Sequence, residues 1–174
     1  NAGSDAAAIP DVGIVCKGQW EGSEVLGMRV TWEKRYITLG PIATLLGLAI
    51  RLKDPDGLLG GKQDLGITCL LVPTDTPGVN IVRNVGLHGE PMNEGWHSLI
   101  HYEDVRVPES SLLGGEGQAF VIAQTRLGGG RIHHAMRTIG MAQKAFDMMC
   151  ERVLSRETAG SLLADKQFVQ GYIA

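Results

Sequence analysis

Over roughly the first 110 residues, apolar side chains come in short runs broken by Gly, Pro and Asp. The runs are Val12–Cys16, Val25–Val30, Arg35–Leu39, Ile42–Leu52, Ile67–Val72, Val79–Val85 and His97–Tyr102. Between them stand Asp54-Pro55-Asp56-Gly57, Gly60-Gly61 and Thr76-Pro77-Gly78. Such residues favour turns because proline fixes φ and glycine tolerates positive φ. Runs of this length, rich in Val, Ile, Leu and Thr, predict strands, and several at this spacing predict an antiparallel sandwich or barrel.

The pattern changes near residue 115. Ala135, Ile139, Ala142, Phe146, Met149 and Val153 recur at i, i+4, i+7, i+11, i+14 and i+18, with Lys144, Asp147, Glu151 and Arg152 elsewhere around the turn. This is the period of an amphipathic helix, and it predicts one from about 132 to 155. Gly128-Gly129-Gly130 precedes it. Three glycines cost about 2–3 kcal/mol relative to alanine in a helix, so a break, a bend or a close backbone approach is expected there. Arg156 to Leu163 reads as the helix end, with Gly160 as a capping residue. A second helix is predicted from near Leu162. The expected architecture is α+β. An antiparallel β-barrel or sandwich domain over 1–112 is followed, over 113–174, by the first helices of a truncated α-helical bundle. A one-striped helix must cover an apolar surface, and partner helices of a bundle are the expected cover.

Composition narrows the partners. Of 174 residues, 44% are hydrophobic and 20% charged, and the net charge is −3. With no basic stripe, a nucleic-acid partner is not expected. The longest apolar stretch, Pro41 to Ile50, is too short for a bilayer span of about 20 residues and reads as buried strand. Peripheral membrane association is not readable. Three scattered cysteines, Cys16, Cys69 and Cys150, give neither a zinc pattern nor a disulfide framework, so no metal is expected. Reduced thiols in a cytoplasmic compartment are expected. The start, Asn-Ala-Gly-Ser-Asp, carries no initiator Met and no signal-peptide pattern, and reads as an internal start.

Four segments carry candidate chemistry. On a strand, Tyr36 and Thr38 of Lys34-Arg35-Tyr36-Ile37-Thr38 face one side and Ile37 the other. A ring beside a hydroxyl can line a flat heterocycle, although a half-wet strand face would read the same way. Gly3-Ser4-Asp5 can offer a hydroxyl and amides to phosphate, or be a plain turn. Arg126 and Arg131 flank the three glycines, an arrangement that suits phosphate or carboxylate and equally a surface helix. Arg156-Glu157-Thr158-Ala159-Gly160-Ser161-Leu162-Leu163 reads as a helix end. His133 and His134 are adjacent and diverge on a helix, unlike a metal pair at i, i+4.

The order of these segments, with Asp104-Val105-Arg106-Val107-Pro108-Glu109-Ser110-Ser111-Leu112-Leu113-Gly114 between them, resembles the acyl-CoA dehydrogenase family over essentially the whole chain. Residues 1–73 look most like the large bacterial fatty-acid-degradation members. Residues 74–174 look more like the branch related to the kinase-fused dehydrogenases of animals. The resemblance implies FAD as cofactor, a fatty acyl-CoA thioester as substrate and α,β-dehydrogenation as reaction, with a Glu carboxylate taking the α-proton and the flavin taking hydride. It implies a homo-oligomer, dimer or tetramer, and an electron-transfer acceptor protein.

Residue by residue, the resemblance gives Ser4 a contact with the flavin pyrophosphate or the CoA arm. Tyr36 stands for the family's usual Trp against the flavin, Ile37 lies between, and Thr38 bonds near N5. Arg131 contacts CoA, and Arg156 reaches the flavin pyrophosphate of a neighbouring subunit. Gly128 stands where many members carry an Asp, and Ala159 where many carry a Phe. No residue of the chain matches the catalytic Glu, so the chain alone is expected to be an inactive fragment. An acyl-CoA oxidase shares the fold and flavin and is the alternative enzyme; a non-catalytic β module that binds a partner is the alternative outside enzymes.

Overall fold

The computed structural model describes residues 5–89, 91 and 96–174. The chain divides into two units, Asn1–Ala123 and Gln124–Ala174.

In the first unit, β1 (Val12–Trp20), β2 (Ser23–Thr38), β3 (Leu45–Lys53), β4 (Asp64–Pro73), β5 (Val79–Asn84), β6 (His97–Pro108) and β7 (Leu112–Leu113) form one sheet in the order β5-β6-β2-β1-β3-β4-β7. All neighbours are antiparallel except β1 and β3, which run parallel. The sheet does not close: β5 and β7 are its edges among the described residues. The α+β class and the antiparallel β domain stand, and the sheet is open rather than a closed barrel.

Alternation builds the core. Leu46, Leu48, Ile50 and Leu52 of β3 are buried, as are Thr68, Leu70 and Val72 of β4. In β6 the buried positions are Ser98, Ile100 and Tyr102, then Val105 and Val107. The parity changes because Asp104 takes a left-handed φ of 50° and the β2–β6 register shifts there. A bulge adds one residue to one strand and so swaps which side chains face inward. Strand residues from β1, β2, β3, β4 and β6 meet in one apolar cluster. The runs Val25–Val30 and Arg35–Leu39, predicted as two strands, fall in the single β2 up to Thr38, because Trp32–Lys34 pair onward with β6 past a bulge at Thr31. The stretch from Ile42 is a strand only from Leu45, after a 3-10 turn at Gly40–Ile42.

The helix α1 (Ala119–Ser155) starts earlier than predicted and runs through Gly128-Gly129-Gly130 without a break. Among the described residues a Cβ added at any of the three would meet open space. Glycine weakens a helix but keeps its amide donor, and a long helix around it holds the turn. The predicted helix cap at Arg156–Leu163 is instead a small hairpin of β8 (Glu157–Thr158) and β9 (Ser161–Leu162), turned by Ala159 at φ 47° and Gly160 at φ 76°. The second helix, α2 (Gln167–Ile173), starts later than Leu162, after a 3-10 turn at Leu163–Asp165. Large apolar side chains of α1 stand exposed, among them Ile132, Met136, Ile139, Met141 and Met148.

The three cysteines are half-buried free thiols, and burial pushes the Cys69 thiol up. Among the described residues no helix is long and apolar enough to cross a membrane, and no cluster of His, Cys, Asp and Glu could hold a metal.

Candidate functional site

The site is built on the C-terminal end of β2. Between Lys34 and Ile37 the β2–β6 register shifts, and Tyr36 takes a φ of 59°. That conformation is unfavourable for a bulky side chain by about 1–2 kcal/mol, so the surrounding structure must hold it. The bulge leaves Arg35 and Tyr36 both exposed, Tyr36 by 53%. Ile37 turns in against the core. Thr38 is outward again, and its Oγ1 lies 3.0 Å from Nδ1 of His97, its register partner on β6. Tyr36 and Thr38 are thus both exposed with Ile37 inward between them, at a bulge that alternation alone does not predict.

Behind this end the chain is pinned. The Leu39 amide donates to the Trp96 carbonyl at 2.6 Å. The Ser98 hydroxyl donates to the Ile37 carbonyl at 3.5 Å. Gly40 packs so closely on Ser98 that a Cβ there would overlap its Oγ.

Beside Tyr36 opens a cavity of about 1090 Å³, lined by Ile9–Val12 and Thr31–Ile37. Its polar group is an ion pair of Lys34 with Asp11, in which both side chains are largely buried. The Lys34 ammonium also sits 4.9 Å from the centre of the Trp32 ring. A cation over an aromatic face and against a carboxylate has little freedom, so this wall is rigid. The Trp32 indole donates to the Val12 carbonyl at 3.3 Å, which ties the wall to β1. An exposed ring on a strained bulge thus stands at the rim of a cavity large enough for a small organic molecule, with the Thr38 hydroxyl just beyond its lining.

In the second unit, Arg131 is exposed on α1 and its Nη1 donates to Gln124 Oε1 at 2.7 Å. Arg156 is exposed just past the helix end, and its carbonyl accepts from the Leu163 amide at 2.8 Å. The 24 residue steps from Arg131 to Ser155 rise about 36 Å, so the two arginines cannot share one phosphate. Ser4 lies outside the described residues.

Residues 117–174 match the family model described as acyl-CoA dehydrogenase, C-terminal domain. The probable acyl-CoA dehydrogenase FadE2 of Mycobacterium tuberculosis is 46% identical over 121 residues, 70% of this chain and 28% of that protein. The acyl-CoA dehydrogenase family member 11 of Rattus norvegicus is 45% identical over 106 residues, 60% of this chain and 14% of that protein. Butyryl-CoA dehydrogenase from Megasphaera elsdenii superposes with a TM-score of 0.70 at 25% identity, covering 99% of this chain and 41% of that one. The chain belongs to the acyl-CoA dehydrogenase family. It spans less than a third of the length of these two curated relatives.

Within this family member the structure brings Tyr36, Ile37 and Thr38 together at one strand end, and sets Arg131 in the first half of α1 and Arg156 just past its C-terminal end. His97 and Lys34–Asp11 were not among the residues expected from sequence. Lys34 stood inside the motif without a role, and His97 is 59 residues from Thr38. Only the strand register joins that pair.

Proposed function

We propose that this chain supplies the flavin- and thioester-binding part of an FAD-dependent dehydrogenase that acts on the α and β carbons of fatty acyl-CoA thioesters. The observation that carries the reading is Tyr36, exposed at a left-handed φ on the lining of the cavity, two residues before Thr38. When bound, the flavin supplies the two-electron redox chemistry. Tyr36 packs against the ring system, Ile37 anchors the strand end in the core, and Thr38 bonds a ring nitrogen. Ser4 contributes a hydroxyl to the pyrophosphate or the CoA arm. Arg131 meets a phosphate of the CoA arm by a charge-assisted bond. Arg156 serves the flavin pyrophosphate of a neighbouring copy, which makes the working form a dimer or tetramer. The separation of the two arginines along α1 supports giving them different ligands.

Removal of the α-proton falls to a carboxylate outside this chain. Glu151 and Glu157, the acids near the end of α1, are solvent-exposed and far along the helix from Arg131. Electrons leave to an acceptor protein, in a cytoplasmic setting that suits three free thiols. We assign 1–112 to the flavin-contacting domain and 113–174 to the helical one.

The test is an FAD titration of the purified chain with an assay of acyl-CoA-dependent dye reduction and of peroxide. Weak FAD binding without turnover is expected. Turnover at an enzyme-like rate, or tight stoichiometric FAD in a monomer, overturns the reading of an inactive part, and peroxide production would reassign the parent enzyme as an oxidase.

A further inference from the structure

Thr38 has a single hydroxyl proton, and the structure places a ring nitrogen of His97 3.0 Å from its oxygen. A neutral imidazole has one N–H, so the tautomer decides which way that bond runs. If Nδ1 is bare, the Thr38 proton goes to His97 and the hydroxyl faces any ligand only as an acceptor. If Nδ1 carries the proton, it donates to Thr38 Oγ1 and the hydroxyl proton is free to point outward. The ring nitrogens of an oxidised isoalloxazine at its hydride-accepting edge are acceptors, so only the second arrangement serves them.

We propose that His97 is a positioning residue, whose Nδ1–H donates to Thr38 Oγ1 and so directs the Thr38 hydroxyl proton toward an acceptor nitrogen of the bound flavin. The inference rests on the flavin reading of this site.

The surroundings support a fixed pair rather than a chance contact. His97 lies on β6 between β2 and β5 and is the register partner of Thr38. Its carbonyl accepts from the Val85 amide at 2.8 Å on the β5 side. The residues flanking it, Trp96 and Ser98, bond to Leu39 and Ile37, which flank Thr38. The overlap that bars a side chain at Gly40 keeps this end of β2 against Ser98. Trp96 and the first two residues of β6, His97 and Ser98, therefore set the position of the strand end that carries the hydroxyl, and His97 sets the direction of its proton.

The experiment uses the chain with ring-nitrogen-labelled histidine and FAD. Nitrogen NMR of the free chain is expected to show His97 with a protonated Nδ1 and a bare Nε2. In FAD titrations followed by flavin fluorescence, Thr38→Val and His97→Leu should each weaken binding about fivefold to tenfold. The double variant should be no weaker than Thr38→Val alone, because His97 acts only through the Thr38 hydroxyl. His97→Asn, whose amide N–H can occupy the place of Nδ1–H, should recover most of the loss. A bare Nδ1, additive losses in the double variant, or failure of His97→Asn to recover binding in a natively folded chain overturns the proposal. If the chain leaves flavin fluorescence unquenched, the flavin reading itself fails, and the proposal that rests on it falls too. The nitrogen spectrum then tells only which way the Thr38–His97 bond runs.

Discussion

The ring of Tyr102 lies 4.5 Å from that of Trp32, centroid to centroid and tilted by 54°, and its hydroxyl is buried with no hydrogen-bond partner among the described residues. A buried hydroxyl without a partner costs about 1–3 kcal/mol. Tyr102→Phe keeps the ring contact and removes the hydroxyl, so it should raise stability by about 1 kcal/mol. Burial, and then the charge of Asp11, push the phenol well above its ordinary value. The folded chain keeps this proton after the unfolded chain has released it, so stability should fall as pH rises above about 10. Urea unfolding at pH 8 and pH 11 should show that fall in the native chain and less of it in Tyr102→Phe.

Gly40→Ala should destabilise the first unit by about 1–3 kcal/mol, because the new methyl overlaps the buried Ser98 hydroxyl. Ser98→Ala in the same chain removes the overlapping atom and leaves Cβ at 3.3 Å, a distance a small shift can relieve. The double variant should therefore be more stable than Gly40→Ala alone. Paired urea melts check this, and equal loss in both would show that the clash lies elsewhere.

The Asp54 carboxylate is 1% exposed and accepts the amides of Leu58 and Leu59 at 2.9 and 2.8 Å. These bonds close the loop between β3 and β4. Asp54→Ala leaves two amides without their acceptor and should cost about 2–4 kcal/mol. Asp54→Asn keeps one acceptor oxygen and should cost less. Chemical denaturation of the two variants orders them, and the reverse order would refute the role.

Tyr36→Ala removes the displayed ring and should weaken FAD binding at least about fivefold, the order of an aromatic stacking contact. Tyr36→Trp offers a larger face and should bind as tightly as the native chain or more so. Fluorescence titration of both variants measures it. Unchanged affinity in Tyr36→Ala would remove the ring from the site.

Gly129 lies mid-helix with open space around its missing side chain. Gly129→Ala should stabilise α1 by about 1 kcal/mol, the helix-propensity difference. A higher thermal midpoint by circular dichroism is the expected result. A drop would mean that the position needs glycine for a contact made outside the described residues.

Much of the fold was readable because local pattern and burial agree. The apolar run Ile42–Leu52 marked a strand, and the period through Val153 marked a helix. The errors have physical causes. Gly128–Gly130 were read from propensity as a break, a bend or a close backbone approach, and the break is absent because propensity sums local preferences and misses the cooperativity of a long helix. Arg156–Leu163 was read as a helix cap because glycine serves helix ends and tight hairpins alike.

By itself the sequence determined the α+β class, the strand runs, the amphipathic helix and the order of motifs that point to the family. Those follow from side-chain period and residue type, which are local. Only the tertiary structure decided that Tyr36 stands at a left-handed bulge, that Lys34 is locked between Asp11 and Trp32, and that His97 holds the Thr38 hydroxyl. Each depends on the register between strands distant in sequence, and one inserted residue on one strand changes which side chains meet.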